Sequence, residues 1–253
     1  MSPSLGNCSP FAGMHPYSEE KCAFFKGRGP HASEAIRLLE KHRFLSIISN
    51  AGCGKTSFIR CGLLPEMERM AKASALAWQH VWFTPKDSVI KSCAQALAAY
   101  GVLHHEADME EIYALSIENN IREGPNGLVN IIEQSADIRG KKFLIIIDQL
   151  EQLFIHGPVL HQDEEKRKET RRMFEALIKL HEKPDLPVYI ILSLQSEYLQ
   201  EVKRYPELAK ILNLGFYTLP TLEKDHVLRI LEYMVDRCEI IFSDALVGTL
   251  QEE

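Results

Sequence analysis

The chain has 253 residues, of which 45% are hydrophobic and 25% charged, and its formal net charge is -6. This is the composition of an ordinary globular protein, and the negative balance excludes a general basic field that attracts nucleic acid or anionic membranes. Its apolar runs are too short to span a bilayer, and residues 1–7 lack the features of a signal peptide. We therefore predict a cytoplasmic protein with no nucleic-acid or membrane partner.

The cysteines are spread along the chain without a CxxC motif or a paired spacing. Because disulfides are rare in the cytoplasm, this distribution predicts reduced thiols. The six residues concerned are Cys8, Cys22, Cys53, Cys61, Cys93 and Cys238.

Helical and strand patterns alternate along most of the chain. A Ser-, Pro- and Gly-rich segment at 1–22 is predicted to lie across the surface. Hydrophobic periodicity then predicts the remaining elements. In chain order these are a helix at 33–42, a strand at 44–48, a helix at 55–70, a strand at 81–83, helices at 87–100, 108–120 and 127–138, a strand at 141–148, a helix at 163–182, a strand at 188–193, helices at 197–203 and 206–212, a strand at 215–219, and helices at 223–237 and 243–251.

The predicted strands are apolar on both faces, which indicates an α/β fold with a parallel five-stranded sheet flanked by helices. The pattern changes at Pro220, after which only helical periodicity remains. We therefore predict one domain at 23–220 and a helical segment at 221–253. This segment is too short for a core of its own, so it is either a docked lid or part of a truncated domain.

The motif that carries the chemistry follows the first strand. Residues 49–56, SNAGCGKT, match the phosphate-binding pattern G-x-x-x-x-G-K-[ST] except that Ser49 replaces the first glycine. Gly-Lys-Thr alone can occur by chance, but the strand before it and the helix after it favour a P-loop. Its backbone N–H groups would bind phosphate, Lys55 would reach the β- and γ-phosphates, and Thr56 would bind Mg²⁺. The predicted nucleotide contacts are Asn50, Ala51, Gly52, Cys53, Gly54, Lys55, Thr56 and Ser57.

Acidic residues follow the most apolar strand. Asp148 ends that strand, where an acid faces the ligand crevice and can hold Mg²⁺ together with Thr56. The alternative is that Asp148 only caps the next helix. Glu151 is the nearest candidate base for an attacking water, and the alternative is a solvent-exposed helix charge.

Several segments together resemble the novel STAND NTPases, relatives of the AAA+ and NACHT ATPases. The clearest is DQLEQLF at 148–154, which is similar to the family's D-Q-F-E-E-L-F. The resemblance covers about residues 10–250. Its other parts are PYSEEKCAFFKGR at 16–28, SFIRCGLLP at 57–65, LQSEYL at 194–199 and LPTLEKD at 219–225.

The resemblance implies an ASCE-type sheet, in which the strand ending near Ser193 lies between the P-loop strand and the Asp148 strand. It also implies that Gly27 and Arg28 lie near the adenine of a bound ATP or ADP. Family members are switches that are closed with ADP at rest and oligomeric with ATP when a sensor domain is engaged.

The chain departs from the family pattern at several positions. Ser49 must adopt backbone angles that glycine usually supplies. Gln195 stands where the family has an arginine, and a neutral amide stabilises charge on the γ-phosphate less than a guanidinium does. The resemblance thus gives Glu151 and Gln195 as the candidate catalytic residues of a slow ATPase. The other departures are Gly29, Gln152 and the lack of a Gly-Pro pair at 230–235.

These observations leave competing functions. The first is an ATP- or ADP-binding signalling switch with Mg²⁺ and slow or partner-dependent hydrolysis. It would be part of a larger STAND protein with separate sensor and effector domains, and would form a homo-oligomer when activated. The second is a scaffold module that binds nucleotide without hydrolysing it. A small-molecule kinase is less favoured, because the sequence contains no obvious lid of clustered arginines.

Overall fold

The computed structural model describes residues 11–13, 15–74, 77–102, 109–135, 141–155 and 164–238. Within these ranges one parallel sheet has five strands in the order β2-β3-β4-β1-β5. This confirms the predicted fold class and the position of β4 between the P-loop strand and the Asp148 strand. The strands are β1 Phe44–Ser49, β2 Trp78–Phe83, β3 Lys142–Ile147, β4 Val188–Gln195 and β5 Phe216–Thr218.

The register of β4 aligns the ends of its two neighbours. Ser49 at the end of β1 lies opposite Gln195, and Ile147 at the end of β3 lies opposite Leu192. The residues that follow β1, β3 and β4 therefore emerge at the same edge of the sheet. This edge is where ligands bind in open parallel sheets.

The sheet is buried on both faces. Leu45, Ile47 and Ile146 belong to one buried cluster, whereas Phe44 and Ile145 belong to another on the opposite face. Full burial of each such side chain contributes about 1.5–3 kcal/mol. Strands that are apolar throughout are therefore stabilised only when helices cover both faces, as the sequence predicted.

Helices cover these faces and connect the strands. They are α1 Gly29–His42, α2 Lys55–Ser57, α3 Leu64–Ser74, α4 Val89–Tyr100, α5 Glu110–Glu123, α6 Gly127–Gln134, α7 Gln152–Ile155, α8 Glu164–His181, α9 Leu199–Val202, α10 Pro206–Leu212 and α11 Lys224–Cys238. Two 3₁₀ helices, Glu19–Phe24 and Ser196–Tyr198, and a π-helix at Phe58–Leu63 complete the described elements. The helix predicted at 243–251 lies outside the described residues.

Two of the helices differ from their predicted extents, each because of a particular residue near the end or interruption of the helix. Helix α1 begins four residues earlier than expected, at Gly29, because Pro30 suits the first turn of a helix. The helix predicted at 55–70 is interrupted by the π-helix. There a Cβ on Gly62 would lie 3.1 Å from the Phe58 ring and 3.3 Å from the Phe25 ring. The small residue therefore permits close packing at the π-helical turn.

The 3₁₀ helix Glu19–Phe24 lies in a region where the sequence predicted no helix. It buries Phe24, and its Cys22 forms a disulfide with Cys61 of the π-helix, with the two Cα atoms 4.8 Å apart. The prediction of reduced thiols is therefore wrong for this pair. The two cysteines are 39 residues apart in sequence, and only the fold brings them within bonding distance. Among the described cysteines, Cys53 and Cys93 are free thiols.

Among the described residues, no helix is both long and apolar enough to cross a lipid bilayer.

The turn between α5 and α6 supplies a test of packing. A Cβ on Gly127 would lie 1.9 Å from the backbone oxygen of Asn120, so Gly127→Ala forces the helices apart. We expect a loss of about 1–3 kcal/mol, as for other overpacked sites, measured as a lower midpoint in chemical denaturation. Gly124→Ala is the matched control, because its Cβ would meet nothing within 4 Å. Equal midpoints for both variants would contradict this packing.

Candidate functional site

The loop between β1 and α2 is shaped by glycine. Gly52 and Gly54 have φ angles of 76° and 83°, in the left-handed region that favours glycine. Added Cβ atoms would meet nothing within 4 Å, so the requirement is conformational rather than steric. Ser49 is the last residue of β1 and is not among the described residues with positive φ. The expectation that Ser49 must adopt glycine-like angles is therefore wrong, because a strand conformation suits any residue.

Lys55 is the buried cation of the site. Its ammonium is close to the loop and donates to the Ser49 carbonyl at 3.1 Å, the Ser49 hydroxyl at 3.3 Å and the Asn50 carbonyl at 3.2 Å. Burial lowers the pKa of Lys55, and the negative charge of Glu151 opposes this shift. Because a phosphate oxygen carries negative charge and a carbonyl oxygen is only the end of a dipole, the ammonium would bind phosphate more strongly than it binds these carbonyl groups.

Thr56 and Asp148 meet although they are far apart in sequence. The Thr56 hydroxyl donates to Asp148 Oδ2 at 2.9 Å, and Asp148 is buried. A hydroxyl and a carboxylate are oxygen ligands of the kind that Mg²⁺ prefers. The described residues contain no cluster of three or more His, Cys, Asp or Glu side chains that could hold a metal. The pair therefore fits an ion that keeps water and phosphate as its other ligands.

Ser193 is a site residue that was not predicted from the sequence. Its hydroxyl donates to Asp148 Oδ1 at 2.5 Å and accepts from the Gln149 N–H at 2.8 Å. Its carbonyl accepts from the Leu150 N–H at 2.9 Å. Gln149 has a φ of 58°, which turns the chain sharply after β3. A fully buried serine in an otherwise apolar strand was the available signal, because such a hydroxyl needs a partner.

Glu151 is buried, with 2% of its surface exposed, so it is not a solvent-exposed helix charge. Its Oε2 accepts from the Gln195 N–H at 3.2 Å, which joins the turn after β3 to the end of β4. Burial raises the pKa of Glu151, while its own backbone N–H and the charge of Lys55 lower it. A carboxylate with a raised pKa is a stronger proton acceptor, as a general base requires.

A cavity of about 730 Å³ is lined by Lys55, Thr56 and Glu151, and its volume is within the usual range for small-molecule sites. Its walls include Arg28, Gln149, Glu151 and Gln195 as well as residues 52–57 of the loop. Ala51 is exposed at the loop tip, and Asn50 Oδ1 accepts from the Ser196 hydroxyl at 2.6 Å. The rest of the wall was not predicted from the sequence and consists of Phe11, Ala12, Gly13, His15, Pro16, Tyr17, Phe25 and Leu222.

Arg28 lies where the N-terminal part of the chain meets the segment after β5. Its guanidinium donates to the Pro220 carbonyl at 2.7 Å, and only 4% of the residue is exposed. Burial lowers the pKa of Arg28. Next to it, a Cβ on Gly27 would lie 2.8 Å from Ile230 of α11. Arg28 therefore lines the cavity and contacts Pro220, the residue just before the predicted lid.

Solved structures with related folds come from the ORC proteins of Aeropyrum pernix. The ORC2 protein in its ADPNP–ADP complexes has 13% identity and a TM-score of 0.54, over 84% of this chain and 53% of that chain. The ORC1 protein in complex with DNA has 15% identity and a TM-score of 0.52, over 85% of this chain and 50% of that chain. This chain thus spans about half the length of these proteins.

A third similar structure is the E. coli MS115-1 HORMA:CdnC:Trip13 complex. It has 12% identity and a TM-score of 0.55, over 94% of this chain and 77% of the matched chain. At identities this low, the similarity shows the fold alone. No curated protein sequence matches the chain.

The sequence itself matches one family over nearly its whole length. Residues 10–253 match the family described as Novel STAND NTPase 1. The sheet order and the loop at 49–56 agree with this match, because they are those of an ASCE P-loop protein. Nucleotide binding is expected for this family. The chain belongs to the Novel STAND NTPase 1 family and has the fold of a P-loop NTPase.

Proposed function

We propose that this chain is the nucleotide-binding module of a signalling switch that binds ATP or ADP with Mg²⁺ and hydrolyses ATP slowly. The observation that carries the proposal is the meeting of Lys55, Thr56 and Asp148 at one edge of the sheet. One cation, one hydroxyl and one carboxylate there match the needs of a triphosphate and its metal. The similar ORC2 structure, with ADPNP and ADP, supports an adenine nucleotide.

In this proposal the phosphates lie on residues 50–57. The N–H groups of the loop and the Lys55 ammonium bind the β- and γ-phosphates, and the base lies toward Arg28. Thr56 and Asp148 would hold Mg²⁺, which would neutralise charge on the phosphoryl oxygens. Ser193 keeps the Asp148 carboxylate in one orientation, so the second oxygen remains beside Thr56.

Hydrolysis requires a base and a positive charge. Glu151 accepts a proton from water, the water oxygen bonds to the γ-phosphorus, and the bond to the ADP oxygen breaks, which releases ADP and phosphate. Gln195 donates only a neutral hydrogen bond to the developing charge. Since a missing arginine finger can cost about 10³–10⁵ in rate, slow turnover follows.

The proposed switch acts through the segment after β5. Leu222 lines the cavity and Pro220 accepts the hydrogen bond from Arg28, so a bound base would lie near the start of this segment. A change of nucleotide would thereby alter the position of α11. Sensor and effector domains of a longer protein would respond to this movement of α11. The activated form would be a homo-oligomer.

Binding tests the phosphate site. Lys55→Ala should abolish ATP and ADP binding in calorimetry, because it removes the only cation proposed to contact both terminal phosphates. Lys41→Ala, at an exposed position of α1, is the matched control and should bind normally. Unchanged affinity in Lys55→Ala, with the fold intact by circular dichroism, would refute the P-loop assignment.

Metal dependence tests the pair formed by Thr56 and Asp148. Asp148→Asn should remove most of the gain in ATP affinity that Mg²⁺ gives, and should leave metal-free ADP binding nearly unchanged. Ser193→Ala should reduce the same gain partly, because the carboxylate loses its fixed orientation. Titrations with and without Mg²⁺ measure both effects. If Mg²⁺ has the same effect in wild type and Asp148→Asn, Asp148 is only structural.

Single-turnover hydrolysis tests the catalytic assignment. We expect the isolated chain to turn over well below the enzyme median of about 10 per second. Gln195→Arg should accelerate it, and Glu151→Gln should slow it and trap ATP. Gln200→Arg is the matched control, since it adds the same charge at an exposed position of α9. If the chain hydrolyses ATP at an ordinary enzyme rate and neither site variant changes that rate, other residues catalyse the reaction.

Hydrolysis could instead depend on a neighbouring subunit. Arg171 or Arg172 of α8 would then enter the site in trans, and the rate per chain should rise with protein concentration. A rate independent of concentration excludes this route. Binding without measurable hydrolysis under all conditions would favour the non-hydrolysing scaffold, which the replacement of arginine by Gln195 also supports.

A further inference from the structure

Residues 11–13 and 15–17 form one wall of the nucleotide cavity. Together with Ser18 they are here called the strap. The strap is tied to the helical segment that follows the P-loop. The Tyr17 N–H donates to the Ser57 hydroxyl at 3.0 Å, and Arg60 donates to the Tyr17 carbonyl at 3.1 Å. Directly after the strap, the Cys22–Cys61 disulfide makes a covalent link to the same segment.

The covalent link differs in kind from the hydrogen bonds. Hydrogen bonds break and re-form during local opening, whereas a disulfide holds its two ends together throughout. With the disulfide intact, Cys22 stays beside Cys61 each time the bonds of Tyr17 break. The strap then remains close to its closed position, and it re-closes readily. Without the disulfide, only weak polar contacts and packing oppose its opening.

The link is reachable from solvent. Cys22 is half-buried, while 8% of Cys61 is exposed. A separate surface cavity of about 290 Å³ reaches Cys61 and is also lined by Phe25, Gly62 and Glu66. A small dithiol fits a volume of this size. Cys93, in contrast, is fully buried and burial raises the pKa of its thiol to about 12, so it stays inert.

We propose that the Cys22–Cys61 disulfide is a redox-modification site whose reduction by a dithiol releases the strap and accelerates nucleotide exchange. The proposal rests on the nucleotide binding proposed above. It requires no change in the phosphate contacts themselves, because neither cysteine lies within residues 50–57. Its effect is on the rate at which nucleotide leaves, through the mobility of one cavity wall.

The chemistry is thiol–disulfide exchange. One thiolate of the dithiol attacks the Cys22 sulfur, the S–S bond breaks, and its electron pair leaves on Cys61, which takes up a proton. The second thiol of the reductant, as a thiolate, then attacks the reductant's own sulfur in the mixed disulfide. This releases Cys22, which is also protonated. Two protein thiols form, and the dithiol becomes a cyclic disulfide with the loss of two electrons.

The test measures release of a fluorescent ADP analogue, chased with excess ADP, from oxidised and dithiothreitol-treated protein. Mass spectrometry confirms the state of the disulfide in each sample. We expect release to be roughly tenfold faster after reduction, a factor that corresponds to about 1.4 kcal/mol. A Cys22→Ser/Cys61→Ser variant should release quickly with or without reductant.

This double variant is also the control for the P-loop thiol, because it retains Cys53. If its release rate still responds to dithiothreitol, a cysteine other than Cys22 and Cys61 is responsible and the proposal is wrong. Equal release from oxidised and reduced wild type also overturns it. Thermal unfolding of the variant verifies that it folds.

A second measurement separates this proposal from the proposed function. Hydrogen exchange at the Tyr17 amide, which is bonded to Ser57, should be faster in reduced protein and in the double variant. If neither the oxidised protein, the reduced protein nor the double variant binds nucleotide, the proposed function is wrong, and so is the proposed control of nucleotide exchange. In that case, faster hydrogen exchange at the Tyr17 amide after reduction would still show that the disulfide restrains the strap. Unchanged exchange would show that the disulfide does not restrain it.

Discussion

The site depends on the insertion of β4 between β1 and β3. Because β4 pairs with both neighbours, the residues after all three strands emerge at one edge of the sheet. Ser193 of β4 then reaches Asp148 and the backbone after β3, while Asp148 also reaches Thr56 after β1. With a different strand order, the buried Asp148 carboxylate would lose partners, which is costly for a charge away from water.

Buried charges at this edge are mutually dependent. Lys55, Asp148 and Glu151 are each less than one-tenth exposed. Asp148 and Glu151 each have a polar partner from another segment, and Lys55 donates to Ser49 and Asn50 of its own loop. When all three are ionised, the two carboxylates and the one ammonium group have a net negative charge. A divalent cation would offset this negative charge, and a phosphate group would then add negative charge beside Lys55. The electrostatic design thus suits a metal-bound anion better than either component alone.

The segments before α1 and after β5 complete the cavity together. Residues near Arg28 contact Pro220 and Ile230, and the strap is joined to the helical segment after the P-loop. Chain regions about 190 residues apart in sequence therefore surround one ligand volume. This arrangement would let both the segment after β5 and the N-terminal strap respond to a bound nucleotide. The first response is the proposed switch, and the second is the proposed redox control.

The sequence by itself determined the parallel sheet, the P-loop and the acid after β3, because hydrophobic runs and a short motif are local patterns. It did not reveal Ser193 as the partner of Asp148, the strap as a cavity wall, or the Cys22–Cys61 pair. These depend on contacts between segments about 40 or more residues apart, for which spacing carries no signal. Backbone details such as the π-helix and the angle of Ser49 were also decided by packing and register. Tertiary structure thus decided which local elements act together.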